Sequence, residues 1–413
     1  MAKALQFFTL NETPKPTVSR LPRCGKCGLS SKCTQDMPKG NGNKGILIVT
    51  DSFKDSREEQ ACIEYIQKVL DRVCIDLHRD CITIPCIKCK TDNAVANNVD
   101  CCFPHMATFI KNYNPSIIIP FGQNAITSIV KTEWNDSIGD ANRWCGWNIP
   151  SRMFNAWVCP AYGITYKHEQ VKDRGEVKTQ RVIRIGGIKE DMVIYKLLCK
   201  QVEKAISHNG KPYDVIPDEL STIRLVDRAQ AVIELKKINE MTCTTAFDYE
   251  TTGLKPQSDK QKIVSASIST GIDTIAFMME GDDVKEEFKK YLLNPNIGKI
   301  ASNMKFEECW SRAKFGVEVV NWDWDTMLAA HILDQKRGIT SIKFLSYVHL
   351  GIGDYSSHIH ESLKAAKADE AKQGGNAINR IYDLKERDLL LYNGMDSLLE
   401  YKVAMIQKGE ILI

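Results

Sequence analysis

The chain has 413 residues, of which 43% are hydrophobic and 26% are charged, and this length and composition predict two or three domains with hydrophobic cores. The formal net charge of +3 is too small to indicate or exclude a nucleic-acid partner, so any basic surface has to be local. The sequence contains neither an apolar run long enough to cross a bilayer nor a signal-peptide pattern. We therefore expect a cytoplasmic protein with no membrane partner.

Cysteines are concentrated in the first half of the chain, where thirteen of the 15 lie before residue 200. In a reducing compartment, cysteines act as metal ligands or buried thiols rather than forming disulfides. Residues 1–20 are predicted to form a flexible arm. After it, Cys24-Gly-Lys-Cys27 on a glycine-rich turn predicts half of a metal site, since both thiolates can reach one ion. A later pair of cysteines should supply the other half.

Strands and helices alternate along the rest of the N-terminal half. Predicted strands lie at 46–51, 81–86, 116–122 and 153–161. One predicted helix covers 57–74, a second opens at Cys102 with Pro104 in its first turn, and a third follows Gly122. This alternation indicates a parallel sheet that is covered by helices on both faces.

The cysteine spacing and the segment Pro120-Phe-Gly-Gln-Asn-Ala125 resemble the family 4 uracil-DNA glycosylases over residues 21–207. The resemblance implies an α/β/α sandwich with a parallel sheet. It also implies a [4Fe–4S] cluster with four cysteine ligands, which are Cys24, Cys27, Cys86 and Cys102. Zn²⁺ is the alternative metal. The alternative ligands are Cys33, Cys89 and Cys101.

The two catalytic motifs of that glycosylase family are altered in this sequence. Thr50-Asp51-Ser-Phe-Lys54 stands where the family has G-E-x-P-G, so the glycines that let the backbone approach a flipped base are missing. Cys159-Pro160-Ala161 stands where the family has H-P-S/A, and a thiol donates hydrogen bonds poorly. Asp51 could still position a water. We expect a glycosylase-like domain without glycosylase activity that serves DNA binding or docking.

A linker at 208–219, marked by one glycine and two prolines, separates this domain from a second one at 220–413. The second domain is predicted to open with a helix at 226–240. Three strands should follow, one around Asp248 and the others at 261–270 and 272–279. This order predicts a mixed sheet with an antiparallel meander.

Four acids and a tyrosine in the second domain suggest a metal centre. Asp248 and Glu250 are two residues apart on a strand, so both side chains point to one side, and a divalent cation would relieve their repulsion. Glu307 lies on a predicted helix that follows a turn. Tyr392 and Asp396 are four residues apart and share one face of a helix.

This set, together with Asp325-Thr-Met-Leu-Ala and Ser341-Ile-Lys-Phe-Leu, resembles the tyrosine-bearing form of the DEDD exonuclease superfamily. That form includes the proofreading domain of family-A DNA polymerases and ribonuclease D. The resemblance implies a ribonuclease H-like mixed sheet and a 3′–5′ exonuclease that uses two Mg²⁺ or Mn²⁺ ions. It implies that Asp248 bridges both ions, and that Glu250 and Asp396 complete the site that activates the nucleophile.

The resemblance also implies roles for the other residues of the set. Tyr392 would aim the attacking water. Asn303 is predicted to be the N-cap of its helix and to contact the terminal nucleotide, while Leu254 would wedge against its base. Glu307 stands where the family has an aspartate, and its extra methylene moves the carboxylate by about 1.5 Å. We expect activity to be retained.

A glycosylase-like domain followed by a proofreading exonuclease resembles the N-terminal part of a bacteriophage family-A DNA polymerase. The resemblance implies phage DNA replication in the cytoplasm of an infected bacterium. Its partners would be single-stranded or frayed 3′ DNA ends, a polymerase domain or subunit, and other replisome proteins. Two alternatives stay open, an RNA trimmer like ribonuclease D and a replication scaffold whose active sites have decayed.

Overall fold

The structure, a computed structural model, describes residues 27–29, 38–91, 94–173, 176–353, 355–357 and 359–411. The predicted arm at 1–20 lies outside these ranges. The chain divides into two compact units, described separately below. Unit one extends to Ile216 and also takes in Tyr347–Gly353; unit two contains Pro217–Ser346 and Asp354–Ile413. Within the described ranges, every helix is too short or too polar to cross a membrane.

Unit one is built on a five-stranded sheet in the order β2-β1-β3-β5-β4. Strands β6, β7 and β8 form a separate three-stranded sheet. The strands are β1 (Ile46–Thr50), β2 (Cys81–Pro85), β3 (Ile117–Phe121), β4 (Ile149–Ser151), β5 (Ala156–Val158), β6 (Ile164–Asp173), β7 (Glu176–Ile185) and β8 (Ile188–Lys189). The helices are α1 (Ser56–Leu70), α2 (Leu77–Asp80), α3 (Ala96–Tyr113), α4 (Gln123–Val130) and α5 (Met192–Ile206).

The parallel sheet predicted for this half is confirmed for β2, β1, β3 and β5, which pair in parallel. All five residues of β1 are buried, as expected for a central strand covered on both faces. Two features were not predicted. Strand β4 pairs antiparallel with β5 at the edge of the sheet, and β6 and β7 form a long antiparallel hairpin.

The prediction that a helix opens at Cys102 with Pro104 in its first turn is wrong. Helix α3 begins at Ala96, so Pro104 lies in its interior. The start is fixed by Asn98, whose side-chain Oδ1 accepts a hydrogen bond from the Val95 N–H at 3.0 Å. This interaction satisfies one of the N–H groups that have no partner at a helix start.

Unit two is built on a six-stranded sheet in the order β14-β13-β10-β11-β12-β9. The strands are β9 (Ile223–Leu225), β10 (Cys243–Thr251), β11 (Ile263–Ser269), β12 (Thr274–Met278), β13 (Ile297–Ala301) and β14 (Trp322–Asp325). The helices are α6 (Arg228–Asn239), α7 (Asp282–Leu293), α8 (Met304–Phe315), α9 (Thr326–Leu333), α11 (Lys367–Gln373) and α12 (Glu386–Ile411). Helix α10 (Ile342–Leu350) begins in this unit.

The predicted mixed sheet is confirmed. Strands β10, β11 and β12 form the antiparallel meander, while β13 lies parallel to β10. Alternation along β10 sends Phe247 and Tyr249 into an aromatic core that includes Phe288 and Tyr291. The opposite face of the sheet therefore carries Asp248.

Helix α12 packs on that opposite face, against β10, β11 and β12. Its approach is close at Gly394, where a Cβ would lie 2.6 Å from the Ile223 side chain. Asn393 fixes the helix to the sheet, because its side-chain oxygen accepts from Ser265 Oγ at 3.0 Å and its carbonyl oxygen accepts from Ser267 Oγ at 2.7 Å. The acids of β10 thus face α12.

We expect Gly122→Ala to destabilise unit one more than Gly187→Ala. Gly122 has φ 98° and ψ 170°, and a Cβ there would lie 2.5 Å from an Asp51 carboxylate oxygen. Gly187 also has a positive φ, 83°, but a Cβ there would meet nothing within 4 Å. Urea unfolding should show a loss of roughly 2–4 kcal/mol for Gly122→Ala and about 1 kcal/mol for the control. Equal losses would contradict the packing described here.

Candidate active site

Three carboxylates from two elements meet above β10. Asp248 and Glu250 leave the same face of the strand, and Asp396 comes from α12. One carboxylate oxygen from each lies within 4.8 Å of the other two, a spacing that would let the three share a metal ion. Glu250 and Asp396 are buried, and Asp248 is partly buried.

Asn393 holds Asp248 in place. Its side-chain Nδ2 donates to Asp248 Oδ2 at 2.7 Å and also contacts the Asp248 carbonyl oxygen at 3.3 Å. Asn393 lies three residues before Asp396, so both side chains leave the same face of α12. The sheet and the helix are therefore locked together at the acids themselves.

Two buried tyrosines flank Asp396. The Tyr355 hydroxyl donates a hydrogen bond to Asp396 Oδ1. Tyr392 lies one turn before Asp396 on α12, and its ring centroid is 5.9 Å from that of Tyr355. The Lys343 ammonium is 5.7 Å from the Tyr392 ring centroid. Asp396 is thus surrounded by hydrogen-bond donors and one nearby cation.

Glu307 lies in the first turn of α8 and is 2% exposed. It is outside the group of three carboxylates that share the 4.8 Å spacing. Burial, and then the charge of Asp248, raise the pKa of Glu307 well above its ordinary value. Its Oε2 is buried and has no hydrogen-bond partner.

The prediction that Asn303 is the N-cap of α8 is confirmed for its position. Asn303 occupies the N-cap position, but it has a left-handed backbone with φ 68° and makes no side-chain capping bond. The Asp325 carboxylate instead supports the start of α8, since it accepts from the N–H groups of Asn303 at 3.1 Å and Met304 at 3.0 Å. The same carboxylate caps α9, where it accepts from Met327 N–H at 2.9 Å.

The electrostatics of the cluster are unfavourable without a cation. Burial, and then the charge of Asp396, raise the pKa of Asp248 well above its ordinary value. Burial and the neighbouring charges of Asp248 and Asp396 do the same to the pKa of Glu250. Burial also raises the pKa of Asp396, although Lys343 and hydrogen bonds from the two tyrosines act in the opposite direction.

A cleft of about 900 Å³ opens beside Glu250. Leu254, the predicted wedge, lines this cleft and is 79% exposed. Three cationic side chains also line it, namely Lys364, Lys367 and Arg380. Glu361 and Glu370 line it as well, and Glu361 pairs with Lys364 at 3.2 Å, so the cleft combines an apolar side chain with charges of both signs beside a carboxylate of the cluster.

The cysteine site of unit one lies partly outside the described residues, because Cys24 and Cys33 fall there. Cys86 is buried, and burial followed by the charges of Asp51 and Cys102 raises the pKa of its thiol. Cys27 is tied to the helix of Cys102, since Asn98 Nδ2 donates to the Cys27 carbonyl at 3.2 Å. The iron–sulfur and zinc assignments stay predictions.

Three buried polar residues near the acids were not predicted from the sequence, namely Asn393, Tyr355 and Glu400. Helical spacing could have revealed two of them, because Asn393 and Glu400 lie three residues before and four after Asp396. Tyr355 lies in a polar loop without periodicity, so no sequence pattern marks it.

The metal-free protein should lose stability as the pH rises. Each acid of the cluster has a folded-state pKa above its unfolded value, so its contribution is present at acidic pH and is lost as the pH rises through the folded pKa. Thermal unfolding in EDTA should therefore show a lower midpoint at about pH 8 than at about pH 5.5.

Asp248→Asn is the matched comparison for this pH effect, since it removes the charge that acts on Glu250 and Glu307. Its midpoint should fall less steeply with pH than that of the wild type, and Mg²⁺ should flatten the wild-type curve. Identical slopes for the two metal-free proteins would show that the cluster is not the source of the effect.

Residues 223–378 match a family model described as 3′–5′ exonuclease. This range includes Asp248, Glu250 and Glu307 and ends before Tyr392 and Asp396. No curated protein matches the chain in sequence.

Three solved structures are similar to part of the chain. The catalytic core of RRP6 from Trypanosoma brucei is 17% identical with a TM-score of 0.35, over 46% of this chain and 47% of that one. Escherichia coli RNase D is 12% identical with a TM-score of 0.34, over 46% and 45% of the two chains. Brucella melitensis NrnC with bound Mg²⁺ is 16% identical with a TM-score of 0.34, over 46% and 82%. The chain thus spans about half the length of the RRP6 and RNase D structures. By the family match, its second unit contains a 3′–5′ exonuclease domain.

Proposed function

We propose that this protein is a metal-dependent 3′–5′ exonuclease that removes 5′-mononucleotides from DNA 3′ ends. The observation that carries the proposal is the meeting of Asp248, Glu250 and Asp396 within 4.8 Å, in and beside the matched exonuclease domain. The substrate is a single-stranded or frayed 3′ end, because a base-paired end has to unstack before it can enter a cleft.

The residues present fit Mg²⁺ or Mn²⁺. Carboxylate oxygens are the ligands that these hard cations take in proteins. Buried like charges with raised pKa values are unfavourable without a cation, and two buried oxygens nearby, on Glu307 and Glu400, have no partner. When bound, two such ions would supply an activated water and stabilise the leaving oxygen of the phosphodiester.

The protein's own side chains would orient the reacting groups. Asn393 fixes one oxygen of Asp248, and Tyr355 fixes one oxygen of Asp396. Tyr392 is buried beside Asp396, where its hydroxyl would hold the attacking water in line with the phosphorus. Asn303 would contact the terminal nucleotide.

The cleft next to Glu250 would receive the end of the strand. Its volume of about 900 Å³ falls within the range of small-molecule sites, so it has room for a terminal nucleotide. Lys364, Lys367 and Arg380 would neutralise phosphates. Leu254, which is exposed there, would stack against the terminal base and keep it apart from its neighbour.

We place this activity in proofreading during bacteriophage DNA replication, beside a polymerase domain or subunit. Support comes from the matched family model, which is named for the exonuclease of DNA polymerase A. The glycosylase-like character of the N-terminal sequence also favours DNA over RNA.

Unit one would serve DNA binding or docking rather than base excision. Asp51 is the acid left in the first altered motif. Its Oδ1 accepts a hydrogen bond from the Ala125 N–H at 2.7 Å and so stabilises the first turn of helix α4. Cys159, in the second altered motif, is buried, and burial raises the pKa of its thiol well above the ordinary value. One Asp51 oxygen is thus already used by the fold, and the buried Cys159 thiol is a poor donor to a uracil anion.

Asp248→Ala should abolish 3′ trimming. We expect the rate to fall by more than the roughly 100-fold seen when a hydrogen-bond partner of a metal ligand is lost, because Asp248 is itself one of the three acids spaced to share a metal ion. The assay uses 5′-labelled single-stranded DNA and RNA with Mg²⁺ or EDTA, resolved on a sequencing gel. Asp282→Ala, an exposed acid on α7, is the control and should trim like the wild type.

Each result of that assay has a clear reading. DNA trimming that requires Mg²⁺ supports the proposal. Trimming of RNA alone would replace DNA by RNA as the substrate. Wild-type protein that shortens neither strand, or Asp248→Ala that shortens DNA normally, would overturn the proposed site.

The full chain should not excise uracil. We expect uracil-containing single-stranded DNA to stay intact after incubation with the protein and alkali, because neither altered motif offers a catalytic group. EDTA in the reaction suppresses exonuclease shortening, so internal cleavage at the uracil is the readout. Cleavage at that position would show that unit one is a glycosylase.

A further inference from the structure

Residues 365–379 of unit two form one wall of the cleft beside Glu250, and this segment is called the cleft wall below. It contains helix α11, and its Lys367 lines the cleft. Ala365 and Asn379, at its two ends, pair in an isolated antiparallel bridge that closes the segment into a loop. Helix α11 has no buried residue, so it adds no hydrophobic anchor. Hydrogen bonds to neighbouring segments therefore have a large part in fixing the cleft wall.

Asn379 attaches the cleft wall to the strand that carries two of the acids. Its side-chain Nδ2 donates to the Thr251 carbonyl oxygen at 2.8 Å, and its backbone N–H donates to the Thr252 carbonyl oxygen at 2.9 Å. Thr251 is the last residue of β10 and directly follows Glu250. One end of the cleft wall is therefore fixed one residue away from an acid of the cluster.

Gln261 holds the cleft wall at a second point. Its side chain is fully buried, and its Nε2 donates to the Gly375 carbonyl oxygen at 3.3 Å. Its Oε1 accepts from the Lys255 N–H at 2.6 Å. Lys255 directly follows Leu254. One buried amide therefore links the cleft wall to the loop that carries the proposed wedge.

The packing around this amide leaves little room at the neighbouring glycines. A Cβ at Gly253 would lie 2.5 Å from the Gln261 side chain, and one at Gly375 would lie 2.9 Å from Lys255 Cε. Both ends of the amide also have a hydrogen-bond partner, as a buried polar group requires. The spacing between Leu254 and the cleft wall therefore depends on Gln261.

We propose that Gln261 and Asn379 are positioning residues of the exonuclease, which hold the cleft wall against the terminal nucleotide of a bound strand. The inference rests on the proposed function, in which this cleft receives the 3′ end. Lys367 on the cleft wall and Leu254 then contact one strand together. Neither positioning residue belongs to the acid cluster, so their loss weakens binding of the strand and leaves the chemical step unchanged.

Two variants of nearly unchanged size each remove one hydrogen-bond donor. Gln261→Glu keeps an oxygen that accepts from Lys255 and loses the Nε2 donor to Gly375. Asn379→Asp keeps its backbone hydrogen bond and loses the Nδ2 donor in the same way. Asn379 is only partly buried, so Asn379→Asp folds even where a buried charge at position 261 does not. Gln373→Ala removes an exposed amide of α11 and is the matched control.

The first measurement is trypsin cleavage of the full-length protein in EDTA at Lys367 and Lys372, read by mass spectrometry. Cleavage of a segment tracks the fraction of molecules in which that segment has opened. Both variants should be cut about fivefold faster than the wild type and Gln373→Ala, the factor that loss of one hydrogen bond implies. Single-stranded oligothymidylate should slow the cut at Lys367 in the wild type and slow it less in the variants.

The second measurement is trimming of 5′-labelled single-stranded DNA in Mg²⁺ over a range of DNA concentrations. In both variants KM should rise about fivefold while kcat stays within about twofold of the wild-type value. Gln373→Ala should match the wild type in both constants. A purely structural role predicts lower unfolding midpoints in urea, with KM and trypsin cleavage unchanged.

Unchanged trypsin cleavage in both variants would overturn the inference. Faster cleavage with an unchanged KM would also overturn it, because the cleft wall would then open without affecting the strand. Wild type that trims neither DNA nor RNA, but that the oligonucleotide protects from trypsin, would overturn the exonuclease proposal and leave the holding of the strand by Gln261 and Asn379 intact. Without that protection, both proposals fail.

Discussion

Repulsion among buried carboxylates is the constraint on which unit two depends. One carboxylate oxygen from each of Asp248, Glu250 and Asp396 lies within 4.8 Å of the other two, and Glu307 and Glu400 are also buried in this unit. Burial removes the water that would otherwise screen them, so each raises the free energy of its neighbours. Such a group persists only when the surrounding structure over-determines it, and a bound cation would offset the repulsion.

The alternation of side chains along β10 holds these acids in place despite their repulsion. Every second side chain enters an aromatic core in which Phe247 stacks on Trp322 and packs edge-on against Tyr291. Burial of such large rings contributes several kcal/mol and fixes the register of the strand. A shift of one residue would move the acids into that core, so the register that buries the rings also places Asp248 and Glu250 beneath α12.

The parts of this arrangement that follow from side-chain periodicity could be predicted from the sequence. A two-residue repeat placed Asp248 and Glu250 on one side of a strand, and a four-residue repeat placed Tyr392 and Asp396 on one side of a helix. Contacts between distant segments, such as the Tyr355 hydroxyl on Asp396, could not be predicted in this way. The sequence placed Asn303 at the N-cap of α8 but could not show that the Asp325 carboxylate, from a later segment, accepts from the N–H groups of Asn303 and Met304.

Buried acids alone do not identify a catalytic unit, and comparison of the two units shows why. Glu133 in unit one is also buried, yet its carboxylate accepts from Ser151 Oγ at 2.6 Å and from the N–H groups of Arg152 and Met153. Asp51 is satisfied by the start of α4 in the same way. Such acids serve the fold, because protein donors bond their carboxylate oxygens and so hold neighbouring segments in place. In unit two, by contrast, the charges of Asp248 and Asp396 add to burial in raising the pKa of Glu250, so like charges crowd at a position where a divalent cation would relieve them.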